Sequence, residues 1–212
     1  MLPLPLSVEK YVRRLHYCRK LRNQQAEADA QACRSFLRPG DMAIDVGANI
    51  GSYSKLFSEC VGPQGSVHAL EPVPETFDYL LYNVRHLGMK NVFCYQVAAS
   101  DYSGISHMSM PVWEGGRRNI YESHLDEHGD IAVRVLRLDD LFAGMKPALI
   151  KIDVEGNELQ LIKGARQLLT TYHPPLLVEV SSPQTAPLLA ELGYTISKEG
   201  TGPNRFFLHP ES

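Results

Sequence analysis

The chain has 212 residues, of which 44% are hydrophobic and 21% charged, so it can bury one substantial core and is neither disordered nor fibrous. Its formal net charge of −3 gives no basic footprint, so we do not expect a nucleic acid as the main partner. The four cysteines lie far apart without a C-x-x-C pair, which argues against zinc-binding and redox motifs.

The first residues are apolar but do not have the features of a targeting signal. Residues 1–6 have no basic start and are interrupted by prolines, so we expect no signal peptide. No apolar stretch approaches the roughly 20 residues that are needed to cross a bilayer. We therefore expect no membrane span and a cytoplasmic location.

A helical extension is predicted before the main domain. Residues 7–37 contain neither Gly nor Pro, and their apolar positions are spaced by three or four, which predicts one helix or a pair of helices. This segment carries a basic cluster that consists of Lys10, Arg13, Arg14, Arg19, Lys20 and Arg22. The cluster fits either a solvated helix face or a surface that recruits an acidic substrate or partner. We divide the chain into this extension, residues 1–39, and a main domain, residues 40–212.

From residue 40 onward, predicted strands and helices alternate. The predicted strands are nearly continuous apolar runs at residues 42–46, 66–70, 91–97, 148–152 and 176–180. The predicted helices cover residues 53–60, 74–87, 157–172 and 183–193. Apolar strands separated by helices indicate a doubly wound α/β fold whose parallel sheet is covered on both faces. Residues 194–197 and 206–209 flank a turn-rich segment and predict a C-terminal antiparallel hairpin.

One region interrupts the alternation. Residues 105–110 and 131–138 read as strands, and the long segment between them, residues 111–130, contains Trp113 and a Gly-Gly-Arg-Arg run. A loop of this length inside a domain is usually functional or mobile. We predict that it forms a lid or a wall of the substrate site.

The first motif joins a buried strand to a helix through a glycine turn, Ile44-Asp45-Val46-Gly47-Ala48-Asn49-Ile50-Gly51. Such a turn lets backbone N–H groups approach a ligand closely. A dinucleotide fingerprint would have glycine at position 49, but Asn is the other residue that best tolerates positive φ. The carboxylate of Asp45 would repel a pyrophosphate, whereas it could bind a cationic amino group such as the ammonium of methionine.

Two further turns follow the next two strands. Glu71 stands 20 residues after Gly51, where an acidic side chain can accept both hydroxyls of a ribose. Alone, Glu71 could equally belong to a helix N-cap region or a solvated strand end, but the first motif favours the ribose contact. The small residues Ala98, Ala99 and Ser100 would let an adenine ring lie flat against the backbone, although any tight turn could use them.

Charged residues alternate at the end of another inner strand. Lys151, Asp153 and Glu155 share one side of this segment. Because unpaired charges are costly to bury, the segment is either a structural Lys–Asp pair with a helix-capping acid or, as we prefer, a substrate or cofactor site. Glu179 ends a further apolar strand and would approach Asp153 or Glu155 if the two strands are neighbours. Close carboxylates can raise one another's pKa or share a metal, so this group could supply a general base.

Two histidines in the long loop have the spacing of neighbours on a helix face. His124 and His128 are four residues apart, but no H-E-x-x-H motif surrounds them. A surface pair is the simpler interpretation. We therefore predict no metal site.

In their order and spacing, these motifs resemble the FkbM family of S-adenosylmethionine-dependent methyltransferases. The resemblance covers about residues 40–194 and is most specific in the run Ile150-Lys151-Ile152-Asp153-Val154-Glu155-Gly156, which continues to Gly164-Ala165. It also includes His68-Ala69-Leu70-Glu71-Pro72 and Leu138-Asp139-Asp140-Leu141. The resemblance implies a seven-stranded Rossmann-like sheet, S-adenosylmethionine as cofactor, and methyl transfer to a hydroxyl of a sugar or a polyketide-like natural product. A small hydroxylated acceptor is therefore the expected partner, and the sequence does not indicate an oligomeric state.

The predicted site has a cofactor set and a catalytic set. We expect the cofactor to contact Asp45, Gly47, Ala48, Asn49, Gly51, Tyr53, Glu71, Pro72, Ala98, Ala99, Ser100 and Asp153. We expect catalysis to involve Lys151, Asp153, Glu155 and Glu179. An unactivated hydroxyl must lose its proton as it attacks, which assigns a base role to Asp153, Glu155 or a loop histidine such as His124.

Two other functions fit parts of the sequence. A nicotinamide-dependent oxidoreductase is favoured by Glu71 but disfavoured by Asp45 and by the missing middle glycine. A module that binds the cofactor or a protein partner without catalysis need not keep the motif residues. Because Asp45, Gly47, Gly51, Glu71 and Asp153 are all present, we see no sign of such degeneration.

Overall fold

Two β-sheets and the helices around them make up the fold in the computed structural model, which describes residues 6–23, 29–111, 123–197 and 202–212. The strands are β1 (Met42–Val46), β2 (Ser66–Leu70), β3 (Val92–Tyr95), β4 (Ala98–Ala99), β5 (Gly104–Ser109), β6 (His124–Leu125), β7 (Ile131–Leu136), β8 (Leu149–Ile152), β9 (Leu176–Glu179), β10 (Thr195–Ile196) and β11 (Asn204–Leu208). The helices are α1 (Leu6–Asn23), α2 (Ala30–Phe36), α3 (Ser52–Val61), α4 (Pro74–His86), α5 (Leu138–Leu141), α6 (Glu158–Gly164), α7 (Arg166–Tyr172) and α8 (Thr185–Glu191). Within the described parts of the chain, no helix has the length and apolar character that crossing a membrane requires.

The larger sheet has seven strands in the order β10-β11-β9-β8-β1-β2-β3. Strands β9, β8, β1, β2 and β3 are parallel to their neighbours, whereas β11 runs antiparallel to both β9 and β10. The predicted doubly wound, mostly parallel sheet with a C-terminal antiparallel hairpin is confirmed. The chain leaves β1 towards β2 and β3 and later returns to β8 on the other side of β1, which opens a crevice at the carboxyl ends of β1 and β8.

Side chains on the inner strands alternate between two cores, one on each face of the sheet. In β1, Ile44 and Val46 belong to one core, while Ala43 belongs to the other, which also contains apolar residues of α3. Strand alternation therefore directs Asp45 to the face that α3 covers. Lys151 lies directly opposite Asp45 in the pairing of β1 with β8. The fold thus places these two charged residues next to each other beneath α3.

A second sheet, of four strands, has the order β4-β7-β5-β6. The strands predicted at residues 105–110 and 131–138 are confirmed as β5 and β7, which pair antiparallel. The strand predicted at residues 91–97 ends at Tyr95, because the chain leaves the larger sheet there and Ala98 pairs with β7 instead. Residues 112–122, which make up much of the predicted lid or wall, lie outside the described residues.

The segment predicted as one helix over residues 157–172 is two helices, α6 and α7, that meet at Ala165. A Cβ atom at Gly164 would lie 1.9 Å from the carbonyl oxygen of Ser100, so this glycine allows the close approach of the two backbones. The predicted strand over residues 131–138 ends earlier, and α5 follows it. Within α5, the Asp139 carboxylate accepts a hydrogen bond of 2.8 Å from the Leu168 N–H and so caps α7.

The predicted N-terminal extension is present as α1 and α2, and α1 is bound to α4 by ion pairs. Lys10 lies 3.3 Å from Asp78, and Arg14 donates from Nε to the same carboxylate at 2.8 Å. Arg13 lies 3.3 Å from Glu75 at the start of α4. These three members of the basic cluster remain partly exposed but pair with acids of α4 within the protein. Their charges fix one helix of the protein against another.

Candidate active site

A cavity of about 340 Å³ opens at the carboxyl edge of the larger sheet. We call the residues that follow the strands of this sheet the floor, and those from α1 and from the β5–β6 side of the second sheet the roof. The floor consists of Val46, Gly47, Ala48, Asn49, Ile50, Ser52, Tyr53, Glu71, Pro72, Val97, Ala98, Ala99, Lys151, Asp153, Val154, Glu155, Asn157 and Glu179. The roof consists of Lys20, Met108, Ser123 and Leu125.

The glycine turn after β1 has a left-handed backbone at three positions. The φ angles of Gly47, Asn49 and Gly51 are 74°, 50° and 98°, so the expected positive φ at Asn49 is confirmed. The N–H groups of Gly47 and Ala48 donate to the Leu70 carbonyl at 3.0 and 2.9 Å. These bonds hold the turn against the end of β2 and leave its backbone on the cavity wall.

The turns that follow β1 and β8 contact each other at Gly47. A Cβ atom at this position would lie 1.7 Å from the backbone carbonyl oxygen of Asp153, so no larger residue fits. The Asp153 N–H also donates to the carbonyl of Val46 at 3.1 Å. The glycine turn after β1 and the charged segment that contains Lys151, Asp153 and Glu155 therefore form one packed unit.

Glu71 lies at the end of β2 and is 5% exposed. Its carboxylate accepts hydrogen bonds of 3.0 Å from the N–H groups of Asn49 and Val73. Burial raises the pKa of the Glu71 carboxyl to about 7, and these two hydrogen bonds only partly oppose that effect. Glu71 lines the cavity, as contact with a ribose would require. The contact itself stays a prediction.

The small residues after β3 divide between the cavity and the core. Ala98 and Ala99 line the cavity, and the Ala99 carbonyl accepts a hydrogen bond of 2.9 Å from Asn157 Nδ2. Ser100 does not line the cavity, because it is 2% exposed and its N–H donates to the Leu136 carbonyl at 3.1 Å. The predicted cofactor contact of Ser100 therefore finds no support in this geometry.

Asp45 is fully buried and does not line the cavity. Its Oδ2 accepts a hydrogen bond of 2.6 Å from the hydroxyl of Ser54 in α3. Its Oδ1 has no hydrogen-bond partner within the described part of the chain and lies 3.8 Å from Lys151 Nζ. Burial raises the pKa of the Asp45 carboxyl. Strand alternation places this carboxylate beneath α3, so the predicted direct contact of Asp45 with a ligand ammonium finds no support in this geometry.

Lys151 lies between Asp153 of the floor and the buried Asp45 beneath it. Its Nζ lies 2.9 Å from Asp153 Oδ2, 3.2 Å from the Gly47 carbonyl and 5.1 Å from the centre of the Tyr53 ring. Burial alone would lower the pKa of the Lys151 ammonium, but the charges of Asp153 and Asp45 outweigh burial and raise it. Lys151 is thus a charged, paired residue, and it also forms part of the cavity wall.

Asp153 and Glu179 come together because β8 and β9 are parallel neighbours, with Ile152 opposite Val178 in the pairing. Burial raises the pKa of the Glu179 carboxyl, and the charge of Asp153 raises it further. Glu155 is exposed, with φ of 47°, and lines the cavity beside them. The predicted approach of Glu179 to Asp153 is confirmed, so three carboxylates share one end of the floor.

Among the other predicted residues, Tyr53 and Pro72 line the cavity, whereas His124 does not. His124 lies in the two-residue strand β6, and its neighbours Ser123 and Leu125 are the residues that reach the cavity. Alternation along the chain accounts for this difference. The geometry therefore gives no support to His124 as a base.

Ser123 and Leu125 belong to the segment 111–130, which was predicted to form a lid or a wall of the substrate site, and they line the cavity. Met108 belongs to no motif and was not predicted, because its place at the cavity depends on how the second sheet packs. Lys20 was recognised only as one member of the basic cluster. Asn157 belongs to the run that begins at Ile150, but it was not predicted as a site residue.

Within the described residues, His173, His209 and Glu211 form one group of potential metal ligands. His173 Nδ1 lies 3.1 Å from a Glu211 oxygen, and the two imidazole rings stack 3.9 Å apart with planes only 6° apart. In parallel stacked rings the in-plane lone pairs do not converge on one ion. The group does not line the cavity, and we assign no metal to it.

Comparison with known proteins identifies the family. Residues 45–198 match the family described as Methyltransferase FkbM domain. The chain is also 30% identical over 203 residues to the 31-O-demethyl-FK506 methyltransferase FkbM of Streptomyces tacrolimicus, covering 77% of this chain and 76% of that protein. The chain belongs to the FkbM methyltransferase family. S-adenosylmethionine is the cofactor, which decides against the nicotinamide-dependent oxidoreductase.

This FkbM-family protein also resembles one further relative in sequence and one solved structure in fold. It is 31% identical over 133 residues to the hexuronic acid methyltransferase AglP of Haloferax volcanii, covering 61% of this chain but 52% of AglP. The crystal structure of methyltransferase FkbM from Methylobacillus flagellatus has a TM-score of 0.59 and 17% identity, covering 94% of this chain and 60% of that one. The structural likeness shows the fold. The chain spans only about half to three fifths of the length of these two proteins.

Proposed function

We propose that this FkbM-family protein transfers a methyl group from S-adenosylmethionine to a hydroxyl oxygen of a sugar or a natural-product small molecule. The observation that carries the proposal is the meeting of Asp153 and Glu179 in the same cavity as Glu71. The names of two relatives, a hexuronic acid methyltransferase and a 31-O-demethyl-FK506 methyltransferase, support acceptors of these classes.

The floor offers a suitable contact to each part of the cofactor, namely the ribose, the adenine and the methionine moiety. Glu71 offers a carboxylate to the ribose hydroxyls, and Ala98 and Ala99 offer a flat backbone surface to the adenine. Asp153 lines the cavity next to Gly47, so its carboxylate takes the role towards the ammonium that the sequence analysis gave to Asp45. Asp45 then has a supporting role: it contacts Lys151 and accepts a hydrogen bond from Ser54, and so holds Lys151 and α3 in place.

The three carboxylates at the end of the floor differ in their suitability as a base. Bound S-adenosylmethionine supplies an electrophilic methyl group, so the protein has to orient the acceptor and remove its proton. Asp153 is ion-paired with Lys151 at 2.9 Å, so one of its carboxylate oxygens is already engaged within the protein. Glu179 has a raised pKa, so it is better matched to accepting the hydroxyl proton as the new C–O bond forms.

Calorimetric titration of the purified protein tests the cofactor site before an acceptor is known. We expect S-adenosylmethionine and S-adenosylhomocysteine to bind the wild type and the Glu59→Gln control, whose side chain is exposed on α3. We expect binding to weaken by roughly tenfold or more in Glu71→Gln, because a charged hydrogen-bond acceptor is lost. A folded wild-type protein that binds neither compound would overturn the proposal.

An acceptor screen tests the reaction itself. Hexuronic acids, neutral sugars and hydroxylated polyketides would be incubated with the protein and the methyl donor, and methylated products would be detected by mass spectrometry. We expect O-methylated product from at least one class, with S-adenosylhomocysteine formed in equal amount. Cofactor binding without turnover of any hydroxylated compound would favour the non-catalytic module.

A further inference from the structure

Two lysines lie on the cavity wall within the part of the chain that the structure describes, and they differ in their surroundings. Lys151 is buried in the floor and is paired with Asp153 and the Gly47 carbonyl. Lys20 is exposed and comes from α1, which belongs to the N-terminal extension. The cavity therefore has a second cation, which enters from the roof.

Two sets of contacts fix α1 at this position. Arg14 pairs with Asp78, and the rings of Tyr17 and Tyr79 lie 4.9 Å apart, so α1 packs along α4. Helix α4 begins directly after the turn that carries Glu71. The extension is thus attached to the helix that begins three residues after Glu71.

The end of α1 reaches the glycine turn. Leu21 is 1% exposed, and a Cβ atom at Gly51 would lie 3.9 Å from Leu21 Cδ2. Lys20, the residue before Leu21, therefore lies beside the start of α3, where Ser52 and Tyr53 also line the cavity. Ser52 and Tyr53 directly follow the glycine turn in the chain.

The charged side chains of the floor are mostly acidic. They are Lys151, which pairs with Asp153, and the carboxylates Glu71, Asp153, Glu155 and Glu179. S-adenosylmethionine carries a carboxylate on its methionine moiety, and acidic floor residues would repel it. With the ribose at Glu71, the methionine moiety extends along the glycine turn towards α3.

We propose that Lys20 binds the carboxylate of the methionine moiety of the cofactor, so that the N-terminal extension completes the cofactor site. This inference rests on the proposed function. The ion pairs of α1 with α4 then have a role in ligand binding, because they hold the helix that carries Lys20.

Calorimetry with two ligands tests this contact without an acceptor. S-adenosylhomocysteine has the carboxylate, whereas 5′-methylthioadenosine lacks the whole amino-acid portion. We expect Lys20→Met to weaken S-adenosylhomocysteine binding by roughly tenfold and to leave 5′-methylthioadenosine binding unchanged. Lys20→Arg should keep most of the affinity. Arg19→Met, which removes the same charge from the neighbouring exposed position, should change neither affinity.

The outcomes separate this inference from the proposed function. If the wild type binds both ligands and Lys20→Met leaves S-adenosylhomocysteine binding intact, Lys20 does not hold the cofactor and the inference is wrong. An equal loss for both ligands would also overturn it, because the contact would not involve the carboxylate. A folded wild type that binds neither ligand would overturn the proposed function, and the inference with it.

Discussion

The floor and the roof of the cavity are built in different ways. The floor consists of short turns at the carboxyl ends of parallel strands, where a strand, a glycine and a charged residue follow one another within a few positions. The roof consists of Lys20, Met108, Ser123 and Leu125, which come from α1 and the second sheet and meet only through packing. The floor, made of local segments, carries the glycine turn and the carboxylates, whereas the roof brings together side chains from parts of the chain that are far apart in sequence.

The largest effect is expected from the base in the floor. Glu179→Gln should lower kcat by about 10²- to 10⁴-fold, because the acceptor hydroxyl would lose its proton acceptor, while the affinity for S-adenosylhomocysteine changes little. Steady-state kinetics with an identified acceptor, together with calorimetry, would measure both quantities. Glu155→Gln serves as the comparison at the same end of the floor. A larger loss of kcat in Glu155→Gln than in Glu179→Gln would move the base role to Glu155.

The contact between two floor turns can be tested at Gly47. Gly47→Ala would place a methyl group 1.7 Å from the Asp153 carbonyl oxygen, and we expect it to lower the free energy of unfolding by about 3 kcal/mol and to weaken cofactor binding. Gly144 has the same φ of +74° and open space around its Cβ position, so Gly144→Ala reports the backbone strain alone. Urea denaturation of both variants gives the difference. Equal losses would show that the contact with Asp153 does not matter.

The burial of Glu71 predicts how stability depends on pH. Because its pKa is raised from 4.5 to about 7, the folded protein keeps a proton that the unfolded chain releases. The stability associated with this group is present below pH 4.5 and is lost as pH rises through about 7, by roughly 3 kcal/mol in total. Urea denaturation from pH 4.5 to 8 should show this decrease in the wild type and in Glu59→Gln but a flatter profile in Glu71→Gln. Identical profiles in all three proteins would contradict the raised pKa.

The smallest effect is expected from the attachment of the roof. Asp78→Asn removes the acid that pairs with Lys10 and Arg14, and partly exposed ion pairs contribute up to about 1 kcal/mol. We expect a stability loss of that size and a decrease of a few fold in S-adenosylhomocysteine affinity, because α1 would be held less firmly. Asp140→Asn, an exposed acid on α5, is the control. If Asp78→Asn leaves the affinity for S-adenosylhomocysteine unchanged, the ion pairs of α1 with Asp78 do not contribute to cofactor binding.

Much of the floor could be predicted from the sequence, because its signals are local. The positive φ of Asn49 and the approach of Glu179 to Asp153 follow from turn chemistry and from the order of parallel strands. The sequence could not show that Asp45 faces α3 rather than the cavity, because that choice depends on which face of the sheet α3 covers. Ser100 was misplaced for a similar reason, since its backbone packs against α6.

For the roof, the long segment 111–130 could be predicted as a lid or a wall, but the individual residues that reach the cavity could not. Spacing alone identified α1 as helical and basic, but three of its charges are used in pairing with α4, which is far away in the chain. The two-residue strand β6 has no pattern long enough to be recognised. Its position decides that Ser123 and Leu125, rather than His124, reach the cavity.

The buried carboxyl of Glu71 also makes cofactor binding a proton-transfer equilibrium. With a pKa of about 7, part of the free protein carries a proton on Glu71 in neutral solution. A ribose hydroxyl that donates to this group favours the ionised form, so binding releases a proton to the buffer. The measured heat of binding would therefore change with the ionisation enthalpy of the buffer, and the affinity for the methyl donor would rise with pH across the neutral range.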